Sequence, residues 1–214
     1  QIKDKVVGFV SPIQIQALNQ NESIEETPFK YDSLLKSRLD VPFVKNTYAT
    51  ANKAGIVKTD DEIHGVILKG VGDDYDWSYM ESNLVAGDIP EYSDDQRSND
   101  VVLSKIIADK MLLKAGDEVR LWFVGEDMKT RGRKFSVKGI YETGLTECDE
   151  RFIYCDLNQI RKLNNWEDDH VGHLEIELAD NVDVDEANNY IYYSVPTNLV
   201  SYTARELYPQ IFDW

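Results

Sequence analysis

Residues 173–191 read HLEIELADNVDVDEANNYI, and this stretch decides how the chain folds. Apolar and polar side chains alternate over its first six residues, which predicts a half-buried β-strand. Asp183 and Glu186 have the spacing of a capping box, which predicts that a helix begins there. Alternation returns at 198–204 and predicts another strand. The last third of the chain is therefore expected to form a strand, a helix and a strand.

The first third of the chain predicts a strand, a helix and two further strands. Alternating apolar residues predict the first strand over about 6–17. Thr27 followed by Pro28 is typical of a helix start. Two β-rich runs, 43–58 and 62–71, predict paired strands. Together with the last third, these elements complete an α+β fold, a split β-α-β-β-α-β unit of ferredoxin-like type.

The middle of the chain predicts a β-rich module. Ser104 and Asp156 each stand where a helix cap is expected. Between these caps, residues 119–123 and 135–141 alternate, which predicts a β-hairpin with a polar tip. The composition becomes polar near residues 87–99, and we expect the chain to pass from one subdomain to the other close to this segment. We therefore expect residues 1–82 and 170–214 to form the split α+β unit and residues 83–169 to form an inserted β-rich subdomain.

Charge limits the classes of partner. The chain has 214 residues with 23 Lys and Arg against 39 Asp and Glu, a formal net charge of -16. This charge disfavours nucleic acid and anionic membrane surfaces as partners, whereas cations and basic partners stay possible. No stretch has the roughly 20 apolar residues that a membrane helix needs. The missing initiator Met and the apolar pattern that begins at the C-terminal end suggest a piece of a longer protein.

No motif predicts catalysis, a cofactor or a metal site. Cys148 and Cys155 have no CxxC spacing, which leaves two buried thiols or a disulfide open. Asp168-Asp169-His170 and His173 resemble a metal cluster, but their spacing is poor and favours a solvated loop. The carboxylate pairs Asp73-Asp74 and Asp149-Glu150 arise by chance in so acidic a chain. Hydrolase and nucleotide-binding motifs are missing as well.

Several segments in series resemble one family. They are GVILKGV at 65–71, VVLSKIIA at 101–108, LLKAGDEV at 112–119, FSVKGIYETG at 135–144 and DERFIY at 149–154. In this order and spacing, the chain resembles the MacB-like periplasmic core domain of FtsX-type ABC transporter permeases, nearest to the lipoprotein-releasing permeases of LolC and LolE type. The resemblance covers nearly the whole chain.

The resemblance implies a periplasmic domain between the first two transmembrane helices of a four-helix inner-membrane permease. Its subdomains would be porter-like (1–82 and 170–214) and sabre-like (83–169). A separate cytoplasmic ATPase would do the chemistry, and a second permease, identical or paralogous, would be a partner. The domain would transmit movement and dock cargo or a periplasmic lipoprotein carrier. Leu207, Ile211 and Trp214 would begin the helix that enters the membrane.

The hairpin tip is the candidate docking element, and it consists of Glu126, Asp127, Met128, Lys129, Thr130 and Arg131. In the lipoprotein-releasing group, one permease recruits the carrier with a long hairpin hook. The tip here is shorter and has no proline, a departure from that pattern. Three alternatives stay open: export of antimicrobial compounds or peptides, a role in cell division or hydrolase activation, and a free-standing secreted acidic module.

Overall fold

The computed structural model describes residue 6, residues 8–125 and residues 127–212, except for the side chain of Ile211. The described chain is a mixed α+β fold dominated by strands, as the sequence predicts. It divides into two compact units. Unit 1 comprises Gln1–Thr50 and Glu167–Trp214, and unit 2 comprises Ala51–Trp166. The division falls inside one long strand, Val44–Lys58.

Unit 1 has the predicted split topology. Its sheet has the order β12-β1-β11-β3, with β3 contributing residues up to Thr50, and neighbouring strands are antiparallel. This is the strand order of a ferredoxin-like unit. The elements of unit 1 are β1 (Ile13–Ala17), β2 (Phe29–Lys30), α1 (Ser33–Leu39), β3 (Val44–Lys58), β10 (His170–Val171), β11 (His173–Leu178), α6 (Val184–Ser194), β12 (Leu199–Thr203), α7 (Ala204–Leu207) and α8 (Pro209–Phe212).

The core of unit 1 lies between this sheet and two helices. Ile13 and Ile15 of β1 are fully buried beside Leu174 and Ile176 of β11. The helices contribute Leu35 and Leu39 from α1 and Ala187 and Ile191 from α6. Apolar residues at these spacings put one face of each helix against the sheet.

Two predicted boundaries in unit 1 are wrong. Residues 6, 8 and 9 are helical, and the first strand begins only at Ile13. The first helix does not begin at Thr27 and Pro28, because Phe29–Lys30 pair with His170–Val171 as a short ladder. It begins at Ser33, where Oδ1 of Asp32 accepts a hydrogen bond from the Leu35 amide at 2.9 Å. An Asp cap satisfies an amide that the helix itself leaves unpaired.

Unit 2 contains a closed ring of strands, here called the barrel. Its hydrogen-bonded pairs run β3-β4-β9-β6-β8-β7 and return to β3, with β5 attached to β8. The β4–β9 and β6–β8 pairs are parallel. The elements are β4 (Ile63–Val71), α2 (Ser78–Ser82), β5 (Leu84–Gly87), β6 (Asp100–Ser104), α3 (Lys105–Met111), β7 (Glu118–Val124), β8 (Thr130–Tyr141), α4 (Thr146–Asp149), β9 (Phe152–Asp156) and α5 (Leu157–Asn164).

The caps predicted for two helices of unit 2 are confirmed. Oγ of Ser104 accepts from the Ile107 amide at 3.1 Å, and Oδ1 of Asp156 accepts from the Asn158 amide at 3.0 Å. Each cap residue ends a strand and begins a helix, which turns the chain back over the barrel.

The sequence predicts one subdomain of residues 1–82 and 170–214 and another of residues 83–169. The two compact units of the structure have different bounds. Strand β4 pairs with β9, which places it in unit 2. That these parts act as porter-like and sabre-like subdomains stays a prediction. In the described part of the chain, no helix is long and apolar enough to cross a membrane.

Candidate docking hairpin

Strands β7 and β8 form the predicted hairpin, and their inner side is built into the barrel. Val119, Leu121 and Phe123 of β7 are buried, as are Phe135 and Val137 of β8. The strands pair in register from Glu118 with Ser136 to Val124 with Thr130. Because side chains alternate along a strand, every second residue faces away from this buried side.

The tip is a short turn closed by its own backbone. The Gly125 amide donates to the Lys129 carbonyl at 3.0 Å, and the Met128 amide donates to the Gly125 carbonyl at 2.9 Å. Asp127 supports the turn through Oδ1, which accepts from the Lys129 amide at 3.1 Å, and through Oδ2, which is 3.0 Å from Nη2 of Arg131. Met128 has φ 59 and its side chain is 81% exposed.

The six predicted tip residues thus have different places in the structure. Asp127, Met128 and Lys129 lie in the turn, whereas Thr130 and Arg131 already belong to β8. Glu126 lies outside the described residues. A polar, charged turn with an exposed methionine at its apex presents both charge and apolar surface to a partner.

On the outer side of the hairpin, one cation of β7 and one of β3 lie near a single tryptophan. The Trp122 ring lies across Gly132, where a Cβ atom would be 2.9 Å from Cζ3 of the ring. Nζ of Lys58 is 4.8 Å from the ring centroid, and Cζ of Arg120 is 5.6 Å from it. A run of basic residues in the sequence marks this face, although it was not among the predicted features. Residues 129–138 include five basic side chains and no acidic one, in a chain of net charge -16.

Unit 2 also contains an open cleft of about 600 Å³. Its walls include the aromatic rings of Trp77 and Tyr92, whose centroids are 5.9 Å apart. Its other lining residues are mostly acidic, and they are Asp73, Glu81, Asp88, Ile89, Pro90 and Glu91. Of these residues, the sequence suggested a chemical role only for Asp73, whereas 88–91 belong to the polar segment expected between the subdomains. Such a lining attracts cations in general and selects no particular one.

His173 begins the predicted strand, β11, but it is buried and does not lie on an exposed polar face. Nδ1 is 2.7 Å from Oε2 of Glu26, and Nε2 is 3.1 Å from Oε2 of Glu175. Burial lowers the pKa of His173, but the two carboxylates outweigh it and raise the pKa to about 9. His170 lies apart, with Nδ1 accepting from the Glu167 amide at 3.1 Å. No group of three or more metal ligands comes together among the residues that the structure describes.

Both cysteines are free and buried. Burial, followed by the nearby Asp149 and Glu147, raises the pKa of Cys148 to about 11. Burial also raises the pKa of Cys155 well above its ordinary value. Thiols with raised pKa are poor nucleophiles at neutral pH, so neither side chain is suited to catalysis.

The model of the MacB-like periplasmic core domain matches residues 2–191 of the chain. The periplasmic region of MacB from Actinobacillus actinomycetemcomitans is similar in structure, with a TM-score of 0.61, 14% identity and coverage of 100% of this chain and 98% of that one. The extracellular domain of the noncanonic ABC-type transporter YknZ from Gram-positive bacteria has a TM-score of 0.57 and 14% identity, covering 89% and 99%. At these identities the likeness shows a shared fold. No curated protein sequence matches the chain.

Proposed function

The chain belongs to the family of MacB-like periplasmic core domains, and we propose that it transmits ATPase-driven movement across a membrane and docks cargo or a partner protein. It is a periplasmic or extracellular domain of a membrane transporter. It is homologous to the periplasmic domains of ABC transporter permeases. We propose that the domain itself has no enzymatic activity. In the proposed transporter, a cytoplasmic ATPase is a separate subunit and a second permease, identical or paralogous, completes the complex.

The hairpin is the observation that carries the docking role. Its inner side is anchored in the barrel of unit 2 by Leu121, Phe123 and Phe135, so the tip and the outer side are held on a rigid base. A site on a rigid scaffold holds its geometry better than a site on a loose loop. Met128 at the apex of the turn is exposed, so a partner protein can reach it.

We propose lipoprotein release from the inner membrane as the process, because the segment series is nearest to the lipoprotein-releasing permeases. The tip spans five residues between Val124 and Thr130, which is too short for a long hook. A periplasmic carrier, if it is the partner, is therefore expected to contact the hairpin along its sides.

The test replaces residues 125–129 with Asn-Gly in the intact transporter. Val124 and Thr130 are paired in register, so a two-residue turn fits between them. We expect an unchanged melting temperature of the isolated chain and a loss of ATP-dependent lipoprotein release from proteoliposomes. Release at the wild-type rate would reject the docking role of the tip. Sequencing the gene on both sides of this chain, and finding no membrane-spanning segments, would reject the permease itself.

A further inference from the structure

We propose that the outer side of the β3-β7-β8 surface binds a carboxylate-rich segment of a partner protein. This surface, here termed the cationic face, consists of Ile56, Lys58, Arg120, Trp122, Val124 and Lys134. The inference rests on the docking role proposed for the hairpin and names the chemistry of its partner.

Three cations stand in one row across three neighbouring strands. Arg120 of β7 lies directly opposite Lys134 of β8. On the other side of β7, Ile56 of β3 lies opposite Trp122. Since β3 and β7 are antiparallel, Lys58, two residues beyond Ile56, lies level with Arg120. The order across the surface is therefore Lys58, Arg120 and Lys134, all of them exposed.

This row is unfavourable for the isolated domain. Like charges directly opposite each other on a sheet destabilise it. In the described part of the chain, no ion pair joins Lys58, Arg120 or Lys134 to a carboxylate. Glu118 is exposed on the same side of β7, two residues from Arg120, but among the described residues no ion pair joins it to the row. An anionic partner would add the ion pairs that the row lacks.

A row of apolar groups lies beside the cations. Trp122 lies between Ile56, which is 36% exposed, and Gly132, over which its ring extends. Val124, in the next row, is 48% exposed. A tryptophan at the centre of a surface with charged neighbours is typical of the residues that contribute most to binding between proteins. The cationic face therefore offers both an apolar anchor and complementary charge.

Charge complementarity selects a protein segment as the occupant rather than a membrane. A membrane surface is extended, so an anionic bilayer would meet the acidic remainder of a chain of net charge -16. A short acidic segment contacts the cationic face alone. Charges beyond about 8 Å are screened at physiological ionic strength, so the distant carboxylates do not prevent its approach.

The test measures binding of an octaglutamate peptide, carrying an uncharged fluorophore, to the 214-residue chain by fluorescence anisotropy. Octaglutamine is the neutral control peptide. We expect octaglutamate to bind, octaglutamine not to bind, and R120E/K134E to weaken binding by at least roughly tenfold. The matched control K30E/K36E makes the same charge change on exposed lysines of unit 1 and should alter binding by less than about twofold. K134E alone should raise the melting temperature while it weakens binding, because it removes the opposed cations.

Three outcomes would overturn the proposal. Equal weakening by K30E/K36E would mean that net charge alone decides binding. Tighter binding to phosphatidylglycerol vesicles than to octaglutamate would indicate a lipid surface. Self-association of the wild-type chain in sedimentation, abolished by R120E/K134E, would make a second copy the occupant. None of these measurements involves transport. A negative result here would reject the carboxylate-rich partner, whereas wild-type release after replacement of the tip would reject the docking role proposed for the hairpin tip.

Discussion

Nδ1 of His173 lies 2.7 Å from Oε2 of Glu26, although 147 positions separate the two residues in the chain. His173 is in strand β11, and Glu26 is in the segment between β1 and β2. The His173 side chain is only 2% exposed, so this contact and the one to Glu175 form a buried group of charges. Its stability must therefore follow the protonation of the imidazole.

The free energy of unfolding is expected to fall as pH rises from about 6.5 to about 9. The pKa of His173 is raised from 6.5 to about 9 because Glu26 and Glu175 outweigh the effect of burial. A raised pKa means that the folded chain holds the proton more tightly than the unfolded chain. The contribution, about 3 kcal/mol, is complete below pH 6.5 and is lost through the folded pKa. Urea unfolding at pH 6, 7.5 and 9 measures it.

The variant His173→Gln should be less stable than wild type at pH 6, with a difference that shrinks toward pH 9. His64→Gln is the matched control, because the described contacts of His64 are with the backbone carbonyl of Glu150 and with Nζ of Lys110. Parallel pH profiles of wild type and His173→Gln would show that the imidazole is not protonated in the folded chain.

Gly70 allows helix α5 to pack closely on strand β4. A Cβ atom at this position would be 2.9 Å from Cα of Leu157 and 2.9 Å from Cδ1 of Ile160. Gly70→Ala should therefore lower the free energy of unfolding by about 1 to 3 kcal/mol. Gly65→Ala, in the same strand with open space around its Cβ, should lower it by less than about 0.5 kcal/mol. Equal losses in urea unfolding would disprove this packing argument.

Asp149 holds the turn that follows β8. Its carboxylate is buried and accepts hydrogen bonds from the amides of Thr143 at 3.0 Å and Gly144 at 3.1 Å. Asp149→Ala leaves both amides without a partner and should cost about 3 kcal/mol of stability. The exposed neighbour Glu150 serves as the control, since Glu150→Ala should cost less than about 0.5 kcal/mol. Thermal unfolding distinguishes the two; similar melting temperatures would count against the role of Asp149.

Cys148 and Cys155 should resist thiol reagents in the folded chain. Both are buried, and burial raises the pKa of each, for Cys148 to about 11. Because only the thiolate reacts, Ellman's reagent at pH 8 should modify neither residue until urea is added, and then both. Failure to react in urea, with a mass lower by two hydrogens, would reveal a disulfide instead.

Local patterns predicted three helix caps correctly because a cap acts over only a few residues. Ser104, Asp156 and Asp183 all cap helices as expected. Asp183 does so through its own carboxylate, which accepts from the Glu186 amide at 2.9 Å. The ferredoxin-like strand order followed from the order of elements in the first and last thirds.

The closed barrel and the buried histidine depend on contacts that local patterns do not contain. The pairing of β3 with β7 joins Ile56 to Trp122, and alternation in either strand carries no information about its partner. Alternation along 173–178 places His173 with the polar residues of its strand, but the residue is buried and contacts Glu26 and Glu175. The cationic face could have been found from the run of basic residues at 129–138, which stands out against the acidic chain.

The split of unit 1 has a consequence for how the chain folds as it is synthesised. Unit 2 is one continuous segment, Ala51–Trp166, so every strand of its barrel is synthesised before β11. In unit 1, by contrast, β1 is synthesised long before its partner strands β11 and β12, since Ile13 pairs with Ile176 and Thr203. Distant pairings of this kind close large loops and form slowly. The barrel can therefore act as a folded template, and a chain that stops before β11 would leave β1 exposed to aggregation or chaperones.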